Sequence, residues 1–434
     1  MSKCTLKDLQ FWDDQIVELG KKRQLDWYEI AYETCDYHEM LGAMAYHGMP
    51  THYNHWSYGK SFEQQHTHYQ LGMTGLPYEL IINSDPCIAY LMLENPMYLQ
   101  ILIMAHCVGH SDFFKNNRNF AFTRADTVVP RMRHAKKRIN SYIEDPNIGI
   151  ERVESLIDAC HAISYQVPRY PMDIPNLEEN YEIFRQKNLQ SLKKNKLDLK
   201  DLPYEPEYDI LGFCAEFGPD LDDWERDVIQ IVRDEAYYFM PQIRTKIMNE
   251  GWACLQHYNI LNELDLPQEY HIPFLKSHNQ VVRPHVGRIN PYHLGFHLFQ
   301  KIVERHGYEE ALLAREVHND ESFIRQYLTR EDCEELNLFS FSAKDHGQYE
   351  VDDVSDNQGW EEVKEVLIGQ IGANSIPTIY VDGVSRRNEL VLHHEYDGRE
   401  LELQYARQVM GHIERIWGHD VTLITIIDDA PYEL

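Results

Sequence analysis

The 434-residue chain has no closely paired cysteines, few cations and no long apolar run. Its eight cysteines stand singly, without a Cys-x-x-Cys pair, which argues against a thiolate zinc cluster or a disulfide scaffold. Lys and Arg number 41 against 70 Asp and Glu, a formal net charge of −29. A phosphate-backbone binder depends on clustered cations, so nucleic acid is not an expected partner. The apolar run at 101–105 falls far short of the ~20 residues a bilayer span needs, and no membrane span is expected. The opening MSKCTLKDLQFWDDQ turns acidic before an apolar segment builds up. It reads as no secretory signal, so the expected location is cytoplasmic.

What is abundant is histidine and tyrosine, 23 and 28 residues. Imidazole titrates near neutrality and is the commonest metal ligand. Charge is uneven: residues 1–330 hold 34 basic and 47 acidic groups, while 331–434 hold 7 and 23. Periodicity changes at the same place. Helical patterns dominate the first part, at 5–20, 25–47, 97–110, 151–164, 177–194, 221–258 (kinked or broken at Pro241), 290–306 and 309–328. Strand patterns at 336–343, 348–354, 376–383, 388–398 and 421–427 alternate with two helical ones in the second, the last stopped by Gly418. The expected fold is α+β: a large, mainly helical domain over 1–330, then a small acidic α+β domain over 331–434. The basic run RMRHAKKR at 131–138 reads as a solvated helix face, with an anion or partner site as the alternative.

The strongest chemical signal is PMYLQILIMAHCVGHSDFF, residues 96–114. His106 and His110 are four apart and share one side of an apolar helix. Two imidazoles so spaced are how a helix offers a metal two ligands, although Cys107 stands where H-E-x-x-H has its general-base Glu. A pair of helix-packing histidines is the plain alternative, and His293 with His297 repeats the spacing. Glu235 sits among Ala236, Tyr237, Tyr238 and Phe239, where poor solvation raises a carboxyl pKa. Glu250 and His257, seven apart, share a helix face. His52, His55, His66 and His68 crowd with Trp56, Lys60 and Glu63 in THYNHWSYGKSFEQQHTH, and Glu79 lies between aromatic and aliphatic residues. Cys160 and His161 are adjacent on a helix and do not face each other, which discounts a cysteine hydrolase.

The string NEGWA resembles the element of gluzincin aminopeptidases whose Glu completes a His/His/Glu zinc site, and AHCVGH resembles the H-E-x-G-H string of other gluzincins. On a larger scale, HWSYGKSFE, GLPYELIINSDPCIAYLM, AHCVGHSDFFKNN, DACHAI, EAYYFMPQ, KIMNEGWA, HHEYDGREL and YARQV resemble the SpoVR (stage V sporulation protein R) family over almost the whole chain. The resemblance implies a bacterial protein associated with spore cortex formation in spore-formers. It also implies possible action beside a AAA+ serine kinase and a von Willebrand type A domain protein.

Two function classes follow. The first is a metal-dependent hydrolase of amide or peptide bonds, with zinc held by His106, His110 and Glu250. Glu235 or Glu79 would then be the proton acceptor, and His55, Lys60 and His257 further site residues. The second is a non-catalytic adaptor, or a degenerate metalloprotein, docking the kinase or its A-domain partner. A non-haem iron oxidase is a minor third, since no paired E-x-x-H motifs are present.

Overall fold

A computed structural model describes residues 5–70, 80–169, 203, 206–285, 288–338, 341–344, 348–351 and 357–434. The fold is α+β: helices dominate, and small sheets occur, one of them at the C-terminal end. The helical pattern expected at 177–194 lies outside the described residues.

In chain order the first elements are α1 (Leu6–Lys22), β1 (Ile30–Cys35), α2 (Tyr37–Ala45), α3 (Trp56–Gln70), β2 (Leu80–Ile82), β3 (Cys87–Met92) and α4 (Met97–Asn116). Then come α5 (Val128–Glu144), α6 (Gly149–Ala162), α7 (Ile210–Phe217), α8 (Asp223–Arg244), α9 (Lys246–Glu263), α10 (Gln268–Val281) and α11 (Pro291–His306). The remainder is α12 (Tyr308–Val317), α13 (Asp320–Tyr327), α14 (Arg330–Leu336), β4 (Phe341–Lys344), β5 (Gln348–Val351), α15 (Asn357–Gln370), β6 (Ile379–Val384), β7 (Leu390–His394), α16 (Leu403–Trp417), β8 (Val421–Ile427) and β9 (Ala430–Glu433).

The chain divides into two packing units. The first comprises residues 1–52, 57–132 and 241–374, and the second 53–56, 133–240 and 375–434. Of the acidic segment from 331, Leu367, Ile368 and Ile371 join the apolar core of the first unit. Charge composition reflects solvated faces, whereas these buried side chains decide where a segment docks.

At the centre of the first unit lies α4, buried on every side from Leu99 to Phe114. Its largely apolar residues require enclosure on every face, and α1, α9 and α10 pack on it. Beside it is a three-stranded sheet of order β1-β3-β2, with β1 and β3 parallel and β2 and β3 antiparallel. The helix expected over 25–47 is therefore corrected: Ile30–Cys35 pair with Cys87–Met92, and helix starts only after Asp36, whose side chain caps it. The β-branched and aromatic residues Ile30, Tyr32 and Thr34 suit a pleated surface better than a helix.

The break expected at Pro241 falls four residues later. Pro241 is inside α8, and the chain leaves helical geometry at Thr245, whose hydroxyl donates to the Pro241 carbonyl at 2.7 Å.

In the second unit α16 packs on α6 and on β8, and Phe213 stacks on Trp417 with ring centroids 5.8 Å apart. The sheet order is β6-β7-β8-β9, with β7 and β8 parallel and the outer pairs antiparallel. Gly418 ends α16 at φ 85°, a left-handed cap that glycine adopts without a Cβ clash.

Candidate metal centre

Glycines bring the site helices together. A Cβ on Gly109 of α4 would stand 2.7 Å from Ala253 Cα of α9. One on Gly251 would stand 2.3 Å from the carbonyl carbon of Gly295 in α11. Such distances are possible only where both helices lack bulk at the crossing, so α4 and α11 approach α9 backbone to backbone.

That closeness sets His106 and His110 against Glu250. Glu250 Oε2 lies 3.7 Å from His106 Nε2 and 3.4 Å from His110 Nε2, and the two imidazoles meet edge to face with centroids 4.5 Å apart. The three donor atoms lie within 4.8 Å of one another. Both histidines are buried, and the Glu250 side chain keeps 15% exposure, although the Oε2 atom facing the imidazoles is itself buried.

Hydrogen bonding fixes how these groups point. His110 Nδ1–H donates to Asn249 Oδ1 at 2.8 Å, leaving its Nε2 lone pair toward Glu250. Nδ1 of His106 lies 2.8 Å from Nδ1 of His257, whose Nε2 lies 2.8 Å from Nδ1 of His278. Burial by itself would raise the Glu250 carboxyl, but the adjacent His106 and His110 outweigh it and hold it well below the usual carboxylate range. Burial, together with neighbouring imidazoles, holds His257 well below its ordinary value and takes His278 down to about 4. A carboxylate therefore faces two imidazole nitrogens across gaps too long for good hydrogen bonds. Neutral imidazoles with Nε2 unprotonated would oppose their lone pairs to the anion there, and two adjacent buried imidazolium ions would repel each other. A divalent cation between the three atoms removes both conflicts, and the donor set of two imidazoles and one carboxylate suits zinc and several other divalent ions. A second group, His106, Cys254 and His257, is wholly buried beside the first.

The structure thus gathers His106, His110 and Glu250, with His257 one hydrogen bond behind. Glu235 belongs to the second unit, where Tyr53 O–H donates to its Oε2 at 2.8 Å and also meets His161 Nε2 at 2.9 Å. His55, in the same unit, is buried with Nε2 3.3 Å from Asp158 Oδ1. Lys60 is exposed on α3, and Glu79 lies outside the described residues. The repeated His spacing on α11 has a structural use, because His297 pairs with Asp332 at 3.1 Å. Sequence reasoning passed over Asn249 and His278. Asn249 adjoins a chosen ligand, but its partner is 139 positions away, and His278 is on another helix from His257, so no periodicity links either pair.

Comparison with known proteins now supplies the family. A family model described as SpoVR like protein matches residues 3–376, and one described as SpoVR-like C-terminal domain matches 377–428. The chain belongs to the SpoVR family. It is also 34% identical to the Uncharacterized protein YcgB of Escherichia coli (strain K12), across 97% of this chain and 92% of that protein. No solved structure matches. The two SpoVR models meet at 376/377, two residues from the packing boundary at 374/375. Among the described residues no helix is long and apolar enough to cross a membrane.

Proposed function

We propose that this SpoVR protein holds one divalent metal ion, zinc in the first instance, on His106, His110 and Glu250, and uses it to hydrolyse an amide or peptide bond. The observation that carries the reading is the convergence of two imidazole Nε2 atoms on a carboxylate within a buried pocket. Three protein ligands, rather than four, are the number found in catalytic rather than structural zinc sites. Bound there, the ion supplies Lewis acidity. The chain's own part is to hold the ligands rigid: Asn249 and His257 orient the imidazoles, and the glycine crossings fix the spacing of α4 and α9. Glu79 remains the proposed proton acceptor. The test is elemental analysis of the purified protein, with hydrolysis of cell-wall peptides measured on the metal-loaded form. About one ion per chain with metal-dependent cleavage is expected, and cleavage that survives chelation would contradict the reading.

A second reading, a non-catalytic adaptor retaining a structural ion, draws on Cys107. That residue occupies the place of the usual general base and is fully buried in α4. Its partners would be the AAA+ serine kinase and the von Willebrand type A domain protein. Metal-loaded protein that binds such a partner but cleaves no amide would favour it.

A further inference from the structure

Behind the three ligand atoms runs a row of imidazoles, His106, His257 and His278, on three different helices. Each link is 2.8 Å, from His106 Nδ1 to His257 Nδ1 and from His257 Nε2 to His278 Nδ1. All three rings are buried. Tyr258 and Phe296 stand with ring centroids 4.8 Å from that of His278, and Phe274 at 6.3 Å, so the far ring is boxed in.

A row of neutral imidazoles can carry its protons in two directions. In one, His106 Nδ1–H donates to His257 Nδ1 and His257 Nε2–H donates to His278 Nδ1. That leaves the lone pair of His106 Nε2 facing Glu250. In the other, every proton is reversed, His106 Nε2 carries a hydrogen, and no lone pair is offered to a cation. Ligating histidines ordinarily donate their second N–H to a carboxylate or carbonyl, which only accepts. His110 does so, to Asn249 Oδ1. His106 instead leans on a group able to donate or accept, so its competence as a ligand depends on residues two rings away.

We infer that His257 and His278 are positioning residues for the metal: they set the tautomer of His106 so that its Nε2 presents a lone pair to a cation. The inference rests on the metal reading proposed above. Metal and row are thermodynamically linked. Binding at His106 Nε2 selects the first direction, and anything favouring that direction tightens binding.

The test uses the full-length protein and Zn²⁺ or Co²⁺ alone. Zinc affinity is measured by chelator competition, and the geometry of the site is read from the visible spectrum of the Co²⁺ form. His257→Leu removes the acceptor and is expected to weaken Zn²⁺ binding roughly 10–100-fold and to alter the Co²⁺ bands. His257→Asn, whose amide oxygen can take the His106 Nδ1 proton, is expected to recover most of the affinity, which a purely packing role would not produce. Should His257→Leu fail to fold, the wild-type protein still decides the matter through ¹⁵N NMR of labelled histidines in the Zn²⁺-loaded form. His106 is expected to carry its proton on Nδ1, and His257 and His278 theirs on Nε2. Unchanged affinity and spectrum in His257→Leu, or the opposite tautomers, would overturn the inference and leave the metal reading standing. Two ions per chain with His257 as a ligand would overturn it too, whereas wild-type protein that takes up no metal would remove the reading beneath it.

Discussion

Two glutamates of the same chemistry sit in contrasting surroundings. Glu250 is pressed against His106 and His110, and Glu235 accepts a hydrogen bond from Tyr53 in the other unit. Conversion to the amide should therefore separate them. Glu250→Gln removes the anionic donor and is expected to lower metal occupancy sharply, while Glu235→Gln is expected to leave occupancy at the wild-type level. Elemental analysis of both variants checks this, and equal losses in the two would contradict the assignment. A structural carboxylate gives a pH signature as well. Asp332 is buried; burial raises it, but His297, Arg305 and Thr329 prevail and hold it below the ordinary range. Arg305 grips it with two hydrogen bonds of 2.8 Å. A folded-state pKa below the unfolded one contributes stability that is complete above roughly pH 4 and is lost as pH falls further. Asp332→Asn should cost about 1–3 kcal/mol at neutral pH and flatten the acid limb of the stability curve. Denaturant melts between pH 3 and 7 read both effects.

Among elements, the crossings of α4, α9 and α11 matter most, because the ligands are only as well placed as these helices are close. Gly251→Ala puts a methyl 2.3 Å from the Gly295 carbonyl carbon, and Gly109→Ala puts one 2.7 Å from Ala253 Cα. Each backbone must give way, with an expected loss of about 1–3 kcal/mol and weaker metal binding. Thermal melts with and without Zn²⁺ check it, and an alanine variant as stable as wild type would show that the crossing has slack. These glycines were visible in the strings AHCVGH and NEGWA, whose histidines and glutamate stood out by spacing and by their resemblance to gluzincin motifs. What the spacing cannot contain is the partner: nothing local tells His106 that residue 250 will face it. Local signals served α4 well, since its apolar residues fall on every face, and likewise α16, whose end is marked by Gly418. They misled at 25–47, where Ile30–Cys35 is a strand because β3 lies alongside. They misled also at 309–328, one helical pattern that the chain divides at Asn319, whose side chain caps α13 by accepting from the Ser322 N–H.

Over the whole molecule, both units are assembled from distant segments, so removal of the C-terminal part is felt unequally. Deleting 375–434 takes away α16 and the sheet β6-β7-β8-β9, uncovering α6 and Phe213. The second unit should then lose cooperative unfolding while His106, His110 and Glu250 still bind metal. Ending the chain at 330 strips in addition Leu367, Ile368 and Ile371 from the core that holds α4 and α9, and metal binding is expected to fall with it. Limited proteolysis and metal content of the two truncations distinguish these outcomes. The central claim, a divalent ion on His106, His110 and Glu250, meets its most direct test in the metal content of full-length wild-type protein beside His106→Ala/His110→Ala. About one ion per wild-type chain and almost none in the double variant is the expected result. Wild-type protein that is metal-free and cannot be loaded with Zn²⁺, Fe²⁺ or Mn²⁺, or a double variant that holds as much metal as wild type, would contradict it.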